Sequence, residues 1–209
     1  ESKDDAALSL GAHYDYLYKS GLLVNYSQKH LLLENDLFSL DVILGDNLRY
    51  NLNYFVDNGF NLSYGFRSRY SHFRANSKFN SVVSQYPSIS SINLKYKDIT
   101  NQFFVQTTFS RKFALGLGLE HKHLKASTET ITINSKDKII DNSNYYSGFG
   151  YLKLDTYDAK YFVTKGYYAD LNFKWYMNSS SDINNFTSFS QITGTFGFAT
   201  TIADEVTFK

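Results

Sequence analysis

Five histidines, His13, His30, His72, His121 and His123, are the residues best suited to hold a metal or serve a catalytic triad. Only His121 and His123 stand two apart, the spacing that puts both rings on one face of a strand. Two imidazoles fall short of a zinc ligand set, and polar residues are ordinary at a strand's end, where this pair sits. A Ser-His-Asp arrangement needs a nucleophile on a strained turn, and no Gly-Xaa-Ser-Xaa-Gly elbow occurs. Asp155 and Asp158 are spaced to pair as carboxylates, but turn chemistry accounts for both. Cysteine is absent, which removes disulfides, thiol catalysis and cysteine-ligated zinc together. The expectation is no catalytic residue, no metal and no cofactor.

A second set of charges has a different logic. Asp41, Arg49, Arg67, Arg69, Glu120, Asp170 and Lys174 each alternate with apolar neighbours along the chain. Leu8, Leu10, Ala12, Tyr14, Tyr16 and Tyr18 alternate with Ser9, Gly11, His13, Asp15 and Leu17. The period of two recurs from Leu22 to Ser27, Phe38 to Gly45, Leu48 to Val56 and Phe60 to Tyr70. It returns over Asp98 to Phe109, Phe113 to Glu120, Tyr145 to Tyr157, Tyr167 to Trp175 and Phe186 to Ile202. Val206 opens a further stub. The expected fold is all-β, an antiparallel up-and-down sheet of about ten strands plus a stub.

Composition decides where that sheet lives. The chain has 209 residues with 18 Tyr and 18 Phe, yet a mean hydropathy of −0.35. A soluble β-sandwich also alternates. A barrel in lipid turns apolar residues outward and polar ones inward, which reconciles aromatic wealth with low hydropathy. The runs, about 9–12 residues, have the length a tilted strand needs to cross a bilayer, where sandwich strands are about 5–6. Tyr16, Tyr18, Tyr26, Tyr54 and Tyr70 crowd the ends of the apolar stripes, as interfacial girdles do. Packing the charged set dry would cost several kcal/mol per unpaired charge. Arg67 and Arg69, beside Asp41 or Glu120, are expected to form a lumen charge network. No apolar run is long enough for a membrane-spanning helix; the longest is Leu31-Leu32-Leu33. A net charge of +1 argues against nucleic acid as a partner.

Loop lengths predict a direction. Long polar connections are expected at Ser71 to Lys97, Lys125 to Asn144 and Met177 to Asn185. Short turns are expected at Asp57-Asn58-Gly59, Ser110-Arg111-Lys112 and Ala203-Asp204-Glu205. Two further short connections, Lys19-Ser20-Gly21 and Gly45-Asp46-Asn47, fall on the long-loop side. The residues from Ser127 to Ile133 alternate and are suited to extend a hairpin above the membrane. Short turns belong on the periplasmic side, so the first strand runs from periplasm to exterior. The chain opens on Glu-Ser-Lys-Asp-Asp without an initiating Met, as a processed piece of a longer precursor would. Such a sheet does not close alone: further strands, or another chain, are expected to complete it.

The run from Leu154 to Tyr167, with Asp155, Asp158, Lys165 and Gly166, resembles a turn of Omp85-superfamily (surface antigen D15-like) barrels. Val163 stands where that turn usually has Pro. Leu10 to Asp15, Leu44 to Tyr50 and Phe113 to His121 are similar to the C-terminal barrels of patatin-like proteins of Bacteroidota. The resemblance implies part of a barrel of about sixteen strands in the outer membrane of a Gram-negative bacterium. It also implies upstream POTRA or patatin domains, and an Arg-Gly-Phe/Tyr motif on a late loop; this chain has no Arg-Gly pair. The expected function is a non-enzymatic barrel that anchors or translocates a polypeptide, including an N-terminal lipid hydrolase outside this chain. The alternatives are a passive porin-like channel and a soluble lipocalin-like barrel. The expected partners are outer-membrane lipid, those upstream domains or further strands, and a second copy of the chain.

Overall fold

The computed structural model describes residues 5–15, 19–78, 91–110, 112–133, 136–181, 186–202 and 206–208. Each strand pairs with the next in sequence, so local hairpin closure alone builds the sheet. The strands are β1 (Ala6–Asp15), β2 (Lys19–Lys29), β3 (Asp36–Gly45), β4 (Arg49–Val56) and β5 (Ser63–Lys78). They continue as β6 (Ser91–Phe109), β7 (Phe113–Ile133), β8 (Lys136–Asp155), β9 (Gly166–Ser181), β10 (Phe189–Ile202) and the stub β11 (Val206–Phe208). All neighbours are antiparallel, in one sheet of 11 strands that is not closed on itself.

The register keeps the two faces separate across the whole sheet. Leu10 lies opposite Val24, Val24 opposite Val42, and Val42 opposite Tyr50. Phe66, Phe103 and Leu119 form a later row of the same face. Phe103 is 65% exposed and Leu119 64%. So large an apolar area facing out, uncovered among the described residues, suits lipid. Along β6, this face from Phe109 to Ile99 is apolar except at Thr107 and Asn101. At about 3.4 Å per residue and a tilt of about 40°, that stretch climbs about 26 Å, matching the roughly 25 Å apolar band of a barrel.

Strand ends depart from the alternation in instructive ways. Most of Ser71 to Lys97 and Lys125 to Asn144 is strand, not loop: β5 to β8 continue past the apolar belt as hairpins. These extensions have no apolar face for lipid, so their sequence reads as polar connection. Ser127 to Ile133 does extend a hairpin. β9 likewise runs on to Ser181. Lys19, Ser20 and Gly21 belong to β2, and Tyr16, Leu17 and Tyr18 lie outside the described residues. Arg111 and Ala203 to Glu205 lie outside them too. The turn at Asp57 extends to Leu62, held by Asn58 N to Ser63 Oγ at 2.9 Å and Asn58 Nδ2 to Leu62 O at 2.8 Å. β5 therefore begins at Ser63, not Phe60, and β10 at Phe189, not Phe186. Leu31, Leu32 and Leu33 form a turn because the Asp36 carboxylate accepts all three backbone N–H groups, at 2.7, 2.8 and 2.9 Å.

The opposite, concave face carries a ring-on-glycine device. Phe104 lies over Gly65, Tyr151 over Gly116 and Phe149 over Gly118, each where a Cβ would collide with the ring. The irregular alternation of β8 has this cause: Phe149 and Tyr151 cover glycines while Leu152 and Leu154 face out. Tyr151 also donates from its hydroxyl to Gln106 Oε1 at 2.6 Å. Gly116→Val should displace Tyr151 and cost about 1–3 kcal/mol by overpacking. A urea titration of the folded gel band would check this; an unchanged midpoint would show that the ring has other room.

Candidate functional site

The concave face is a polar wall, and cross-strand register decides which charges meet there. Glu120 on β7 is 4% exposed despite facing the hollow. Its carboxylate accepts Lys174 Nζ at 2.8 and 3.0 Å, Gln102 Nε2 at 2.6 Å and Ser147 Oγ at 3.4 Å. Four bonds from three neighbouring strands satisfy a carboxylate that has lost its water. Arg69 pairs with Asp98 at 3.7 Å, and Lys122 reaches the same Asp98 at 2.8 Å. Lys153 pairs with Asp170 at 3.2 Å.

Arg67 behaves differently. Its guanidinium lies over the Phe104 ring, 4.3 Å from the centroid, and its Nε donates to Asn53 Oδ1 at 3.3 Å. Asp41 accepts Asn25 Nδ2 at 2.5 Å and Asn51 Nδ2 at 3.4 Å. The structure therefore brings Glu120 to Lys174, but gives Arg69 and Asp170 partners outside the expected set, Asp98 and Lys153. Arg67 and Arg69 do not bond Asp41 or Glu120. Arg49 and Asp41 line one hollow of about 740 Å³ with Arg69, Asp98 and Lys122. A second, of about 320 Å³, is lined by Arg67, Gln102, Gln106, Tyr151, Lys174 and Gln191. Asp98 and Lys122 were legible from parity alone, because Asp98 alternates with Ile99 at the head of the sixth periodic run.

The histidines do not converge. His121 Nε2 and His123 Nδ1 both meet Asn144 Oδ1, at 3.2 and 3.0 Å, on the lipid-side face. Among the described residues no group of three or more His, Cys, Asp or Glu is placed to hold a metal ion. His30 sits 3.3 Å from Asp5, and the His13 side chain lies outside the described residues. His121 and Asn144 belong to a polar stripe that continues through Asn101, Ser68 and Tyr50. Ser68 Oγ donates to Asn101 Oδ1 at 2.8 Å and lies 3.1 Å from Tyr50 OH. That stripe crosses the apolar belt one row short of its outer end.

At the belt's other end lies the turn between β8 and β9. Asp155 Oδ1 accepts Tyr157 N at 3.0 Å. Asp158 Oδ1 accepts Thr164 N at 3.0 Å and Lys165 N at 3.1 Å, and its other oxygen accepts the Thr164 hydroxyl. Bonds from the Thr164 hydroxyl, the Lys165 N–H and the Thr164 N–H hold the Asp158 carboxyl down to about 2. Gly166 has φ 126°, and a Cβ there would press on the Thr156 carbonyl. Lys165 contributes its backbone, and its side chain is exposed.

Two predictions follow from this geometry. Lys174→Met should cost about 2–3 kcal/mol, below the roughly 3–5 of a dry pair because Lys174 is part-exposed. Adding Glu120→Gln should recover most of it; a double-mutant cycle in urea measures the coupling. Protonation of Asp158 should loosen its turn only as pH falls through about 2, since a depressed carboxyl pKa gives stability that persists above the unfolded value. Asp158→Ala should raise amide exchange at Thr164 and Lys165 at neutral pH, and unchanged protection would refute the role.

A comparison with curated proteins gave no match. A family model described as OMP85 superfamily matches residues 1–209. With an unclosed, all-antiparallel sheet, an apolar outer face and a polar concave wall, the chain belongs to the OMP85 superfamily.

Proposed function

We propose that this barrel domain anchors or moves a polypeptide across the outer membrane, as distinct from conducting small solutes passively. Superfamily members are outer-membrane proteins of Gram-negative bacteria, and their barrel domains are generally non-enzymatic. The observation that carries the proposal is the sign pattern of the concave wall. Arg49, Arg67, Arg69, Lys122, Lys153 and Lys174 interleave with Asp41, Asp98, Glu120 and Asp170. A selective channel concentrates one sign at its constriction. A wall of both signs, largely neutralised within itself, gives a peptide segment polar partners without a strong net field.

In this reading the turn end faces the periplasm and the β5–β8 extensions face outward. The free edge of β1 takes a further strand in the membrane, because unpaired backbone groups are not tolerated in lipid. The resemblance of Leu10 to Asp15 and Phe113 to His121 to patatin-like barrels supports a lipid hydrolase as the anchored polypeptide. The test is made on the full-length natural protein in mild detergent and in planar bilayers. Unboiled protein should migrate differently from boiled on a gel, and conductance should be low, weakly ion-selective and blocked by added unfolded polypeptide. Large, steady conductance indifferent to polypeptide would establish the passive channel instead. Solubility without detergent and no gel shift would overturn the membrane reading itself.

A further inference from the structure

The geometry points to a binding site for a phosphate-bearing glycolipid headgroup on the lipid-side face of the β5–β7 extensions. It rests on the reading above, that this face meets lipid and the extensions point outward. The argument begins with register, which is unbroken between β5 and β6 from Ser63 to Lys78 and between β6 and β7 from Leu94 to Phe109. Parity is therefore carried from the belt into the extensions. The belt row Phe66, Phe103 and Leu119 is followed by Ser68, Asn101 and His121, then by Tyr70, Ile99 and His123. The next row on that face is His72, Lys97 and Lys125, and the one beyond it Arg74, Lys95 and Ser127.

Height places the cations where phosphates lie. The belt ends at Ile99 after about 26 Å of climb, and the Lys97–Lys125 row stands about 5 Å further on. That is headgroup depth, above an apolar surface for acyl chains that is crossed near its top by Ser68, Asn101 and the two histidines. Continuity with that surface favours a lipid over a free anion as the occupant.

Charge gives the second argument. Lys97 lies opposite Lys125 in the ladder, and like charges so placed destabilise a sheet unless an anion screens them. No ion pair among the described residues reaches either lysine. Asp98, next in sequence to Lys97, faces the opposite wall, where Arg69 and Lys122 hold it. Across 71–78, 91–97 and 121–133 the sequence has one acidic residue, Glu129, against six lysines and arginines. Two lysines on adjacent strands, with His72 completing their row, offer a phosphate several donors at once.

The experiment uses the full-length protein in mild detergent and reads bound lipid by native mass spectrometry. The probes are a diphosphorylated glycolipid and its dephosphorylated form. Wild type should bind the phosphorylated form, with affinity falling as salt is raised. Removing one lysine, Lys125→Gln, should weaken it about fivefold, and Lys97→Gln with Lys125→Gln about twentyfold or more. Lys160→Gln, the same charge change at the turn end, should leave binding unaltered.

Equal retention by the double variant, with its heat-modifiable gel shift intact, would overturn the site. So would equal binding of both glycolipid forms. Complete displacement by inorganic phosphate at matched concentration would mean a plain anion site and refute the lipid. If the double variant does not fold, the single Lys125→Gln variant decides the matter. Conductance reads the concave wall and mass spectrometry reads the lipid-side face, so failure of one proposal is separable from failure of the other.

Discussion

Every backbone N–H and C=O that enters hydrocarbon has to find its partner within the protein, since lipid offers none. The ladders of this sheet satisfy that demand, and the rest of the structure follows from keeping them intact. A slip of one residue inside the belt would carry a whole strand's charges into lipid and its leucines into water. The irregularities sit accordingly. Register shifts fall between Ala126 and Ser127, between Thr128 and Thr132, and between Tyr146 and Ser147. The first two lie beyond the Lys125 row, and the third lies at the polar stripe beside His121. None lies among the apolar rows between that stripe and the turn end.

Fixed parity also explains how a charge can be buried in a wall that faces a hollow. Glu120 is covered sideways, by Gln102, Ser147 and Lys174 from the strands on either side and one beyond. Its carboxylate is surrounded by donors that the ladder itself delivers. The rings that cover Gly65, Gly116 and Gly118 use the same lateral logic. A side chain on one strand fills the space that a glycine leaves on the next, so adjacent strands interlock without the two-layer core of a soluble sandwich.

The alternation of Leu8 to Tyr14 or Phe38 to Leu44 made strands and faces readable before any coordinates, because lipid on one side imposes a period of two. Where that pressure stops, readability stops. From His72 to Asn76 both faces are wet, so the composition resembles a loop although Phe73 stacks on Tyr96 and Asn76 bonds Asn93. Partner choice was equally hidden. Arg69 and Asp98 meet because of register, and register depends on turn lengths, which composition does not reveal. At the β8–β9 turn the reverse held: Asp155, Asp158 and Gly166 announced turn chemistry, and each has a specific bond or backbone angle to account for it.

The two ends of the belt constrain depth in opposite senses. Sinking the sheet by one row would bring Lys97 and Lys125 into hydrocarbon, where a lysine costs about 2–4 kcal/mol at the midplane and progressively less toward the interface. The same displacement would push Phe60, Phe109 and Phe113 out of lipid at the other end, whereas raising the sheet would draw the exposed Asp57 and Lys112 of the turn end towards hydrocarbon. Phe60 packs edge-on against Phe109 at 5.0 Å, and Phe109 lies 5.7 Å from Phe113, so the three rings move together. Exposing such side chains costs about 1.5–3 kcal/mol each. On sinking, the lysine and phenylalanine penalties add; on raising, the charges of the turn end take the place of Lys97 and Lys125. A strand of uniform polarity would be free to slide along the membrane normal, whereas β6, with Lys97 beyond one end of its apolar run and the Lys112 turn beyond Phe109 at the other, has a single favourable depth.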